Sequence, residues 1–296
     1  MLSESDVRFY HDNGYIVVPA VYSAEEVAKL RRVTEAFVEK SRQVTENDDT
    51  YDLEDTHTAE HPMVRRLKTP DLIHETYREA SRKPEVVAIL QQLIGPDVRY
   101  QTGKLNLKSA GGGAAVEWHQ DWAFYPHTND DLCAVGILMD DVDLENGPLM
   151  VAPGSHNGPT YDHHSNGYFC GAVNDAAADP EYERAVPLTG KAGSISIHHV
   201  RILHGSRPNL SGRDRRLLLF QYCAADAWPL LAAPDIEAFD ANLLSGEPSV
   251  VPRLADVPVR MPLPPAKHGG SIYENQRGSR ASILGHPEEK VVVAAE

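Results

Sequence analysis

The 296-residue sequence lacks any apolar run that approaches the roughly 18 residues of a membrane-spanning helix. Its opening residues are acidic, whereas a secretory signal would begin with basic residues and continue with apolar ones. Cysteine is scarce: Cys133, Cys170 and Cys223 lie far apart and form no Cys-x-x-Cys pair, which excludes a disulfide framework and a zinc knuckle. We therefore expect a soluble, cytoplasmic protein whose cysteines are small buried side chains.

Basic residues are also fewer than acidic ones. The chain has 28 Lys and Arg against 43 Asp and Glu, which gives a formal net charge of −15 at pH 7. No basic cluster stands out, so nothing favours binding to nucleic acid or to an anionic membrane surface. The remaining class of partner is a small molecule, and both a monomer and a homodimer are compatible with the sequence.

The length and the 42% hydrophobic content fit one large domain, residues 1–296. Residues 1–97 are predicted to form a mainly helical N-terminal support. Within them, the sequence Ser-Ala-Glu-Glu at 23–26 is a capping box that begins one helix, and a second helical region with an internal proline spans 71–93. Residues 14–19 predict a short strand between the N-terminal helical segments.

Residues 98–225 consist of short apolar or alternating runs separated by Gly, Pro, Asn and Asp, a pattern typical of a double-sheet jelly roll. We therefore predict a mainly β fold with flanking α-helices. An irregular insertion loop is expected at 157–187, an irregular tail at 256–296, and a mobile acidic loop or lid at 46–60. The predicted strands of the core are 100–108, 116–124, 132–139, 149–151, 193–200 and 216–223.

A candidate metal site begins with His119 and Asp121, which are two residues apart in a predicted strand and so project from the same face. A single His-x-Asp pair is a weak signal, because such pairs occur by chance. The strand predicted at 193–200 leads into His204, which can supply a third ligand from a separate strand. Two histidines and one carboxylate leave three adjacent positions open, as Fe(II) needs in order to hold a bidentate co-substrate together with dioxygen.

Eleven residues after His204, Arg215 precedes an apolar strand. An arginine at this place can point its planar guanidinium into the barrel and clamp a carboxylate through two hydrogen bonds, with the hydroxyl of Ser206 beside it. The neighbouring Arg213 and Arg216 are predicted to be solvated turn residues.

These residues resemble the phytanoyl-CoA dioxygenase family. The resemblance implies a double-stranded β-helix with a cupin-like jelly-roll core, Fe(II), 2-oxoglutarate as co-substrate and O2 as oxidant. It assigns the iron to His119, Asp121 and His204, and the far carboxylate of 2-oxoglutarate to Arg215 and Ser206. The segments that carry the resemblance are 118–121 with 124–126, 145–149 with 153–156, and 199–206 with Asn209, Ser211 and Arg215.

Three further residues receive roles through the same resemblance. Asn106 falls where relatives contact the co-substrate or the substrate, and Lys104 lies on the same predicted face of its strand. His199 corresponds to a histidine that supports the metal ligands in some relatives without binding the metal itself.

The predicted activity is that of a non-haem Fe(II)- and 2-oxoglutarate-dependent dioxygenase. Its expected substrate is a small secondary metabolite or biosynthetic intermediate, hydroxylated or otherwise oxidised at a C–H bond, with an amino-acid-like compound or an acyl-CoA as the alternative. Asp121 favours hydroxylation, because related halogenases replace this carboxylate with a small residue. Two other classes stay open: a cupin-like zinc hydrolase or isomerase, and a jelly-roll binding protein with a vestigial metal site.

Overall fold

The computed structural model describes residues 1–267, 271–279 and 282–285. The β-strands in these residues are β1 (Tyr15–Val18), β2 (Tyr51–Leu53), β3 (Val64–Lys68), β4 (Val98–Lys108), β5 (Val116–His119), β6 (Leu132–Leu138), β7 (Leu149–Val151), β8 (His164–Ser165), β9 (Tyr168–Phe169), β10 (Val186–Leu188), β11 (Ile195–His199), β12 (His204–Ser206), β13 (Arg215–Ala224) and β14 (Leu243–Ser245). The α-helices are α1 (Glu4–Asn13), α2 (Ala24–Lys40), α3 (Pro70–Ile73), α4 (Glu75–Ser81), α5 (Pro84–Ile94), α6 (Asp179–Glu183), α7 (Ile236–Ala241) and α8 (Ile272–Gln276).

The strands form two main antiparallel sheets. The larger sheet has the order β1-β11-β6-β13-β4-β3-β2, and β14 pairs with β4 beside it. The smaller sheet has the order β10-β7-β12-β5. Side chains of both sheets line one central cavity, so the predicted jelly roll with flanking helices is confirmed.

The central strand β13 shows how the large sheet separates its two faces. Leu218, Phe220 and Tyr222 are buried against the helical layer on the outer face. The alternate residues, including Arg215 and Leu219, face the cavity between the sheets. This period of two directs Arg215 towards the interior.

The helices cover the outer face of the large sheet. Helix α2 begins with a capping box in which Ser23 accepts a hydrogen bond from the backbone of Glu26 and the Glu26 side chain accepts one from Ser23, as predicted. Its buried residues Val27 and Leu30 belong to the same apolar cluster as the large sheet. Among the described residues, no helix has the length and apolarity needed to cross a membrane.

The first 97 residues also supply β1, β2 and β3 to the large sheet. The segment 46–60, expected to be a mobile acidic loop or lid, contains β2, and acidic residues in and just after this strand pair with cations of β3. Asp52 lies 2.8 Å from Lys68, and Glu54 lies 2.9 Å from Arg65. Both carboxylates are buried, so the pairing compensates part of the cost of removing them from water.

The two segments predicted to be irregular contain ordered elements. The insertion at 157–187 includes β8, β9 and α6 and ends within β10. The tail at 256–296 includes α8, and its residues 268–270, 280–281 and 286–296 lie outside the described residues. Helix α8 is short, but it packs against β5 and therefore lies next to the candidate metal site.

Substitution of Leu218 tests the contribution of the central strand. Its side chain is fully buried and lies opposite Leu105 and Ile137 in the ladders with β4 and β6. We expect Leu218→Ala to lower the free energy of unfolding by about 3 kcal/mol, because it removes apolar contacts and leaves a cavity. Urea denaturation measures the change, and the exposed Leu144→Ala serves as control with an expected effect within about 0.5 kcal/mol. Equal losses in both variants would contradict the assignment of Leu218 to the core.

Candidate active site

The three predicted metal ligands meet at one point of the cavity. Strand β12 pairs with β5 so that His204 lies opposite His119, and Asp121 follows at the start of a 3-10 turn. The Nε2 atoms of His119 and His204 lie 3.8 and 4.0 Å from Oδ1 of Asp121. One ligand atom from each residue falls within 4.8 Å of the other two. The spacing suits a single metal ion.

The strand predicted to continue to Phe124 in fact ends at His119, so that part of the prediction is wrong. The backbone turns because the amides of Ala123 and Phe124 donate to the carbonyls of Gln120 and Asp121, at 3.1 and 2.9 Å. Gln120, between the two ligands, keeps an extended backbone with φ −114° and ψ +126°, so the predicted alternation holds as far as Asp121 and the turn begins there.

Both histidines present the same ring nitrogen to the site. Nδ1 of His119 contacts the Glu117 carbonyl at 2.8 Å, and Nδ1 of His204 contacts the Ile202 carbonyl at 3.0 Å. A carbonyl only accepts, so each Nδ1 carries the proton and each Nε2 keeps its lone pair for a metal. Burial lowers the pKa of His119 to about 4 and that of His204 well below its ordinary value, so both are neutral at pH 7.

Asp121 is a buried carboxylate whose nearest cationic and imidazole nitrogens are too far away for ordinary hydrogen bonds. Lys104 Nζ lies 3.9 Å from Oδ1 and His198 Nε2 lies 3.7 Å from Oδ2. Burial raises the pKa of Asp121, but Lys104 and the imidazoles outweigh burial and hold the pKa well below its usual range. An ionised carboxylate beside two neutral imidazoles fits a divalent cation, and this donor set suits iron(II).

Behind the triad lies a compartment between the sheets, here called the inner compartment, whose far end is formed by Asn106, Lys108, Ser206, Arg215 and Tyr273. Its lining within the described residues contains two buried cations beyond Lys104 and no carboxylate. The predicted residues Arg215, Ser206, Asn106 and Lys104 are therefore brought together with the three candidate ligands.

Arg215 is held by a single backbone carbonyl. Its Nη2 and Nε donate to the Gly147 carbonyl at 2.7 and 3.2 Å, and burial lowers its pKa to about 10. Gly147 has a φ of +71°, and a Cβ there would approach the Arg207 carbonyl oxygen to 2.7 Å, so the position requires glycine. The remainder of the guanidinium faces the inner compartment and can bind a carboxylate.

Lys108 is a second cation of this compartment that the sequence analysis missed. It lies directly opposite Arg215 in the ladder between β4 and β13, and its Nζ donates to Ser206 Oγ at 2.8 Å and to the Arg207 carbonyl. Burial, and then the charge of Arg215, lower the pKa of Lys108 well below its ordinary value. Like charges placed opposite each other are unfavourable unless an anion lies between them.

The signal for Lys108 was present in the sequence. Lys104, Asn106 and Lys108 alternate along β4 and all line the inner compartment. The period of two that selected Lys104 and Asn106 applies equally to Lys108. The amide oxygen of Asn106 is buried without a hydrogen-bond partner among the described residues, so it too is available to a ligand.

The histidine of β11 that faces the candidate metal site is His198, and not His199 as expected from the sequence. Consecutive residues of β11 face opposite sides, which turns His199 towards Asp130, 3.9 Å away. His198 is buried 3.7 Å from Asp121, and neither of its ring nitrogens has a hydrogen-bond partner within the described part of the chain.

Gln120, between two of the candidate ligands, fastens the insertion at 157–187 to the site. Its backbone N–H donates to Nε2 of His163 at 2.9 Å, while Nδ1 of His163 contacts the Tyr161 carbonyl at 2.8 Å. Its side-chain oxygen accepts from the backbone N–H of Tyr161 at 2.9 Å, and its side-chain amide donates to the Arg201 carbonyl at 2.8 Å. The sequence favoured a solvated position for His163, in an irregular polar loop, but the structure buries it against Gln120, 43 residues away in the chain.

In front of the triad lies a second cavity of about 240 Å³, here called the outer compartment. Arg66 and Lys104 line it, and Asp121 is the acidic residue among its described lining. The hydroxyl of Tyr125 accepts a hydrogen bond from Gln221 on its wall. The outer compartment is thus polar and carries more positive than negative side chains.

Known proteins resemble this chain over most of its length. The family model of phytanoyl-CoA dioxygenase matches residues 10–217. A Stutzerimonas stutzeri protein named probable alpha-ketoglutarate-dependent hypophosphite dioxygenase is 39% identical over 276 residues, 91% of this chain and 96% of that protein. L-proline trans-4-hydroxylase of Streptomyces griseoviridis is 32% identical over 253 residues, 75% of this chain and 86% of that protein. The crystal structure of EctD from S. alaskensis with bound Fe shares the fold, with a TM-score of 0.66, 21% identity and 88% of each chain covered.

Removal of the carboxylate tests the metal site. We expect Asp121→Ala to weaken Fe(II) or Mn(II) binding more than about 100-fold, because one of three ligands and the site's negative charge are lost. Calorimetric titration of the metal-free protein measures this, with Asp143→Ala as control because Asp143 pairs with Arg213 at the surface. Unchanged affinity in Asp121→Ala would show that the metal binds elsewhere.

The pH dependence of stability tests the role of His163. Burial lowers the pKa of His163 from 6.5 to about 3. Between these two pH values, His163 is therefore protonated in the unfolded state and neutral in the folded state. This contribution to stability is complete above pH 6.5 and is lost as the pH falls towards 3, at about 1.4 kcal/mol per pH unit. Unfolding free energies of the metal-free protein between pH 4 and 8 should therefore fall less steeply in His163→Gln than in the parent. Identical slopes would mean that His163 is protonated in the fold.

Proposed function

Because the chain belongs to the phytanoyl-CoA dioxygenase family, we propose that His119, Asp121 and His204 hold iron(II) for the oxidation of a small anionic substrate. The chain is an iron- and 2-oxoglutarate-dependent dioxygenase. The observation that carries the substrate proposal is the excess of positive side chains, Lys104 and Arg66, in the outer compartment.

When bound, iron(II) supplies the activation of dioxygen. Overall, 2-oxoglutarate, O2 and a substrate X–H give succinate, CO2 and X–OH, with one oxygen atom entering succinate and the other entering the product. Decarboxylation of 2-oxoglutarate and oxidation of the substrate each provide two electrons, which together reduce O2. The side chains of the protein hold 2-oxoglutarate and the substrate in place and keep water away.

The inner compartment suits the dianion 2-oxoglutarate. Arg215 and Lys108 offer two buried positive charges to its far carboxylate, and Ser206 lies beside Lys108. Asn106, between Lys104 and Lys108 on the same face of β4, provides a further polar group. A zinc hydrolase or isomerase with the same three ligands would leave both cations without an anion, which disfavours that alternative.

The outer compartment suits a second anion. Its acidic residue Asp121 is committed to the metal, so Lys104 and Arg66 remain for a substrate. Asp52 lies 3.5 Å from Arg66, but it also pairs with Lys68 at 2.8 Å. A single carboxylate does not neutralise the charges of both Arg66 and Lys68. A cavity of about 240 Å³ is smaller than the roughly 300–1,000 Å³ of drug-sized ligand sites, which favours a compact molecule.

Hypophosphite is the first substrate to test, because the relative of that name is 39% identical over most of both chains. Oxidation of its P–H bond to P–OH would yield phosphite. An amino acid is the second candidate: its carboxylate would meet the same two cations, and L-proline trans-4-hydroxylase is 32% identical. The expectation of a secondary metabolite stays a prediction.

Succinate release tests the proposal and the place of Lys104. We expect hypophosphite to stimulate 2-oxoglutarate turnover more than L-proline or ectoine. In Lys104→Gln the KM for the stimulating anion should rise about tenfold or more, since a hydrogen bond between charged groups is lost. The KM for 2-oxoglutarate should change less than about twofold if Lys104 serves the substrate. The exposed Lys191→Gln is the control for loss of one charge.

Other outcomes would redirect the proposal. A large rise in the KM for 2-oxoglutarate in Lys104→Gln would place Lys104 on the co-substrate, as expected from the sequence. Stimulation by neutral compounds with no response to hypophosphite or amino acids would overturn the anionic substrate.

A further inference from the structure

Helix α8 covers both compartments of the active site. Ile272 lines the inner and the outer compartment, Tyr273 lines the inner one, and Asn275 lines the outer one. The helix is therefore placed to respond to a molecule in either compartment.

The hydroxyl of Tyr273 is buried without a hydrogen-bond partner among the described residues. Arg215 and Lys108, which line the same compartment, are donors, so they leave the proton of this hydroxyl without an acceptor. A buried donor without an acceptor is unfavourable and marks a place where a ligand can complete the network. The missing group is an acceptor such as a carboxylate.

The inner compartment has a volume of only about 30 Å³. 2-Oxoglutarate has about ten non-hydrogen atoms and needs more room than this, so it either extends into the outer compartment, which shares Lys104 and Ile272 with the inner one, or displaces part of the wall. The walls contributed by β4, β12 and β13 are each paired with a strand on either side. Helix α8 has no such ladder.

Polar side-chain contacts hold α8 in place. The Gln276 side chain accepts from the Glu117 N–H at 2.9 Å and donates to the Gly171 carbonyl at 3.0 Å, and Glu274 lies 3.5 Å from Arg65. Water can replace these polar contacts at little cost, whereas opening also exposes Ile272 and Tyr273, which share an apolar cluster with Val116. The contacts also reach the metal site, because the Glu117 carbonyl contacts His119 Nδ1.

We infer that α8 is a lid over the inner compartment and that Tyr273 is the residue through which 2-oxoglutarate holds it closed. The lid opens to admit the co-substrate, and the Tyr273 hydroxyl then donates to the far carboxylate beside Arg215. Ser271 and Asn275 form part of the outer wall, so closure on 2-oxoglutarate also completes the substrate cavity. This inference rests on the proposed function, because the occupant of the inner compartment is the co-substrate.

Binding of 2-oxoglutarate to the Mn(II)-loaded full-length protein tests the inference without turnover. We expect Tyr273→Phe to raise the Kd for 2-oxoglutarate about tenfold, while the Kd for Mn(II) stays that of the parent. The matched control is Tyr182→Phe, which also removes a buried hydroxyl without a partner, but from a ring stacked on Trp118 outside both compartments. This control should bind 2-oxoglutarate as the parent does.

Hydrogen exchange of the amides at 272–277 supplies a second readout. In the parent, 2-oxoglutarate should slow their exchange, and in Tyr273→Phe at the same fractional occupancy the protection should be smaller. Equal Kd values for parent and Tyr273→Phe, or unchanged exchange on binding, would overturn the lid while leaving the dioxygenase intact. Failure of the Mn(II)-loaded parent to bind 2-oxoglutarate would instead overturn the proposed co-substrate site, and the lid with it.

Discussion

The register between β12 and β5 is the constraint on which the site depends, because it sets His204 opposite His119. A shift of one residue would turn His204 to the other face of the sheet and leave His119 without its partner. Backbone carbonyls of Glu117 and Ile202 then fix the ring of each histidine. The ligand geometry is thus a property of the sheet, established before any metal arrives.

The same cavity concentrates charge that the fold does not neutralise by itself. Lys108 and Arg215 face each other across a ladder, Lys104 stands nearby, and Asp121 is their acidic counterpart in the described lining. Buried cations without anions cost several kcal/mol each in effective terms. A metal ion beside Asp121 and a dianion beside Arg215, as proposed, would remove this cost. Ligands that bind only the folded state should therefore also stabilise it.

How far the sequence could predict this site follows from the range of the interactions involved. The sequence alone was enough to identify His119, Asp121, His204 and Arg215, because short motifs and strand alternation act over a few residues. Which histidine of β11 faces Asp121 depends on the phase of that strand, and the sequence does not mark where the phase begins.

Other features depend on contacts between remote segments. Arg66 reaches the outer compartment because β3 pairs with β4 and sets it opposite Asn106, a non-local pairing. Helix α8 has five residues in a polar, proline-rich tail, too few for an apolar period to show. Yet the match to the family model ends at residue 217, before Gln221, Ser271 and Asn275, which help to form the outer compartment. The part of the chain that matches the family model thus contains the candidate metal ligands and Arg215, while later segments complete the outer compartment.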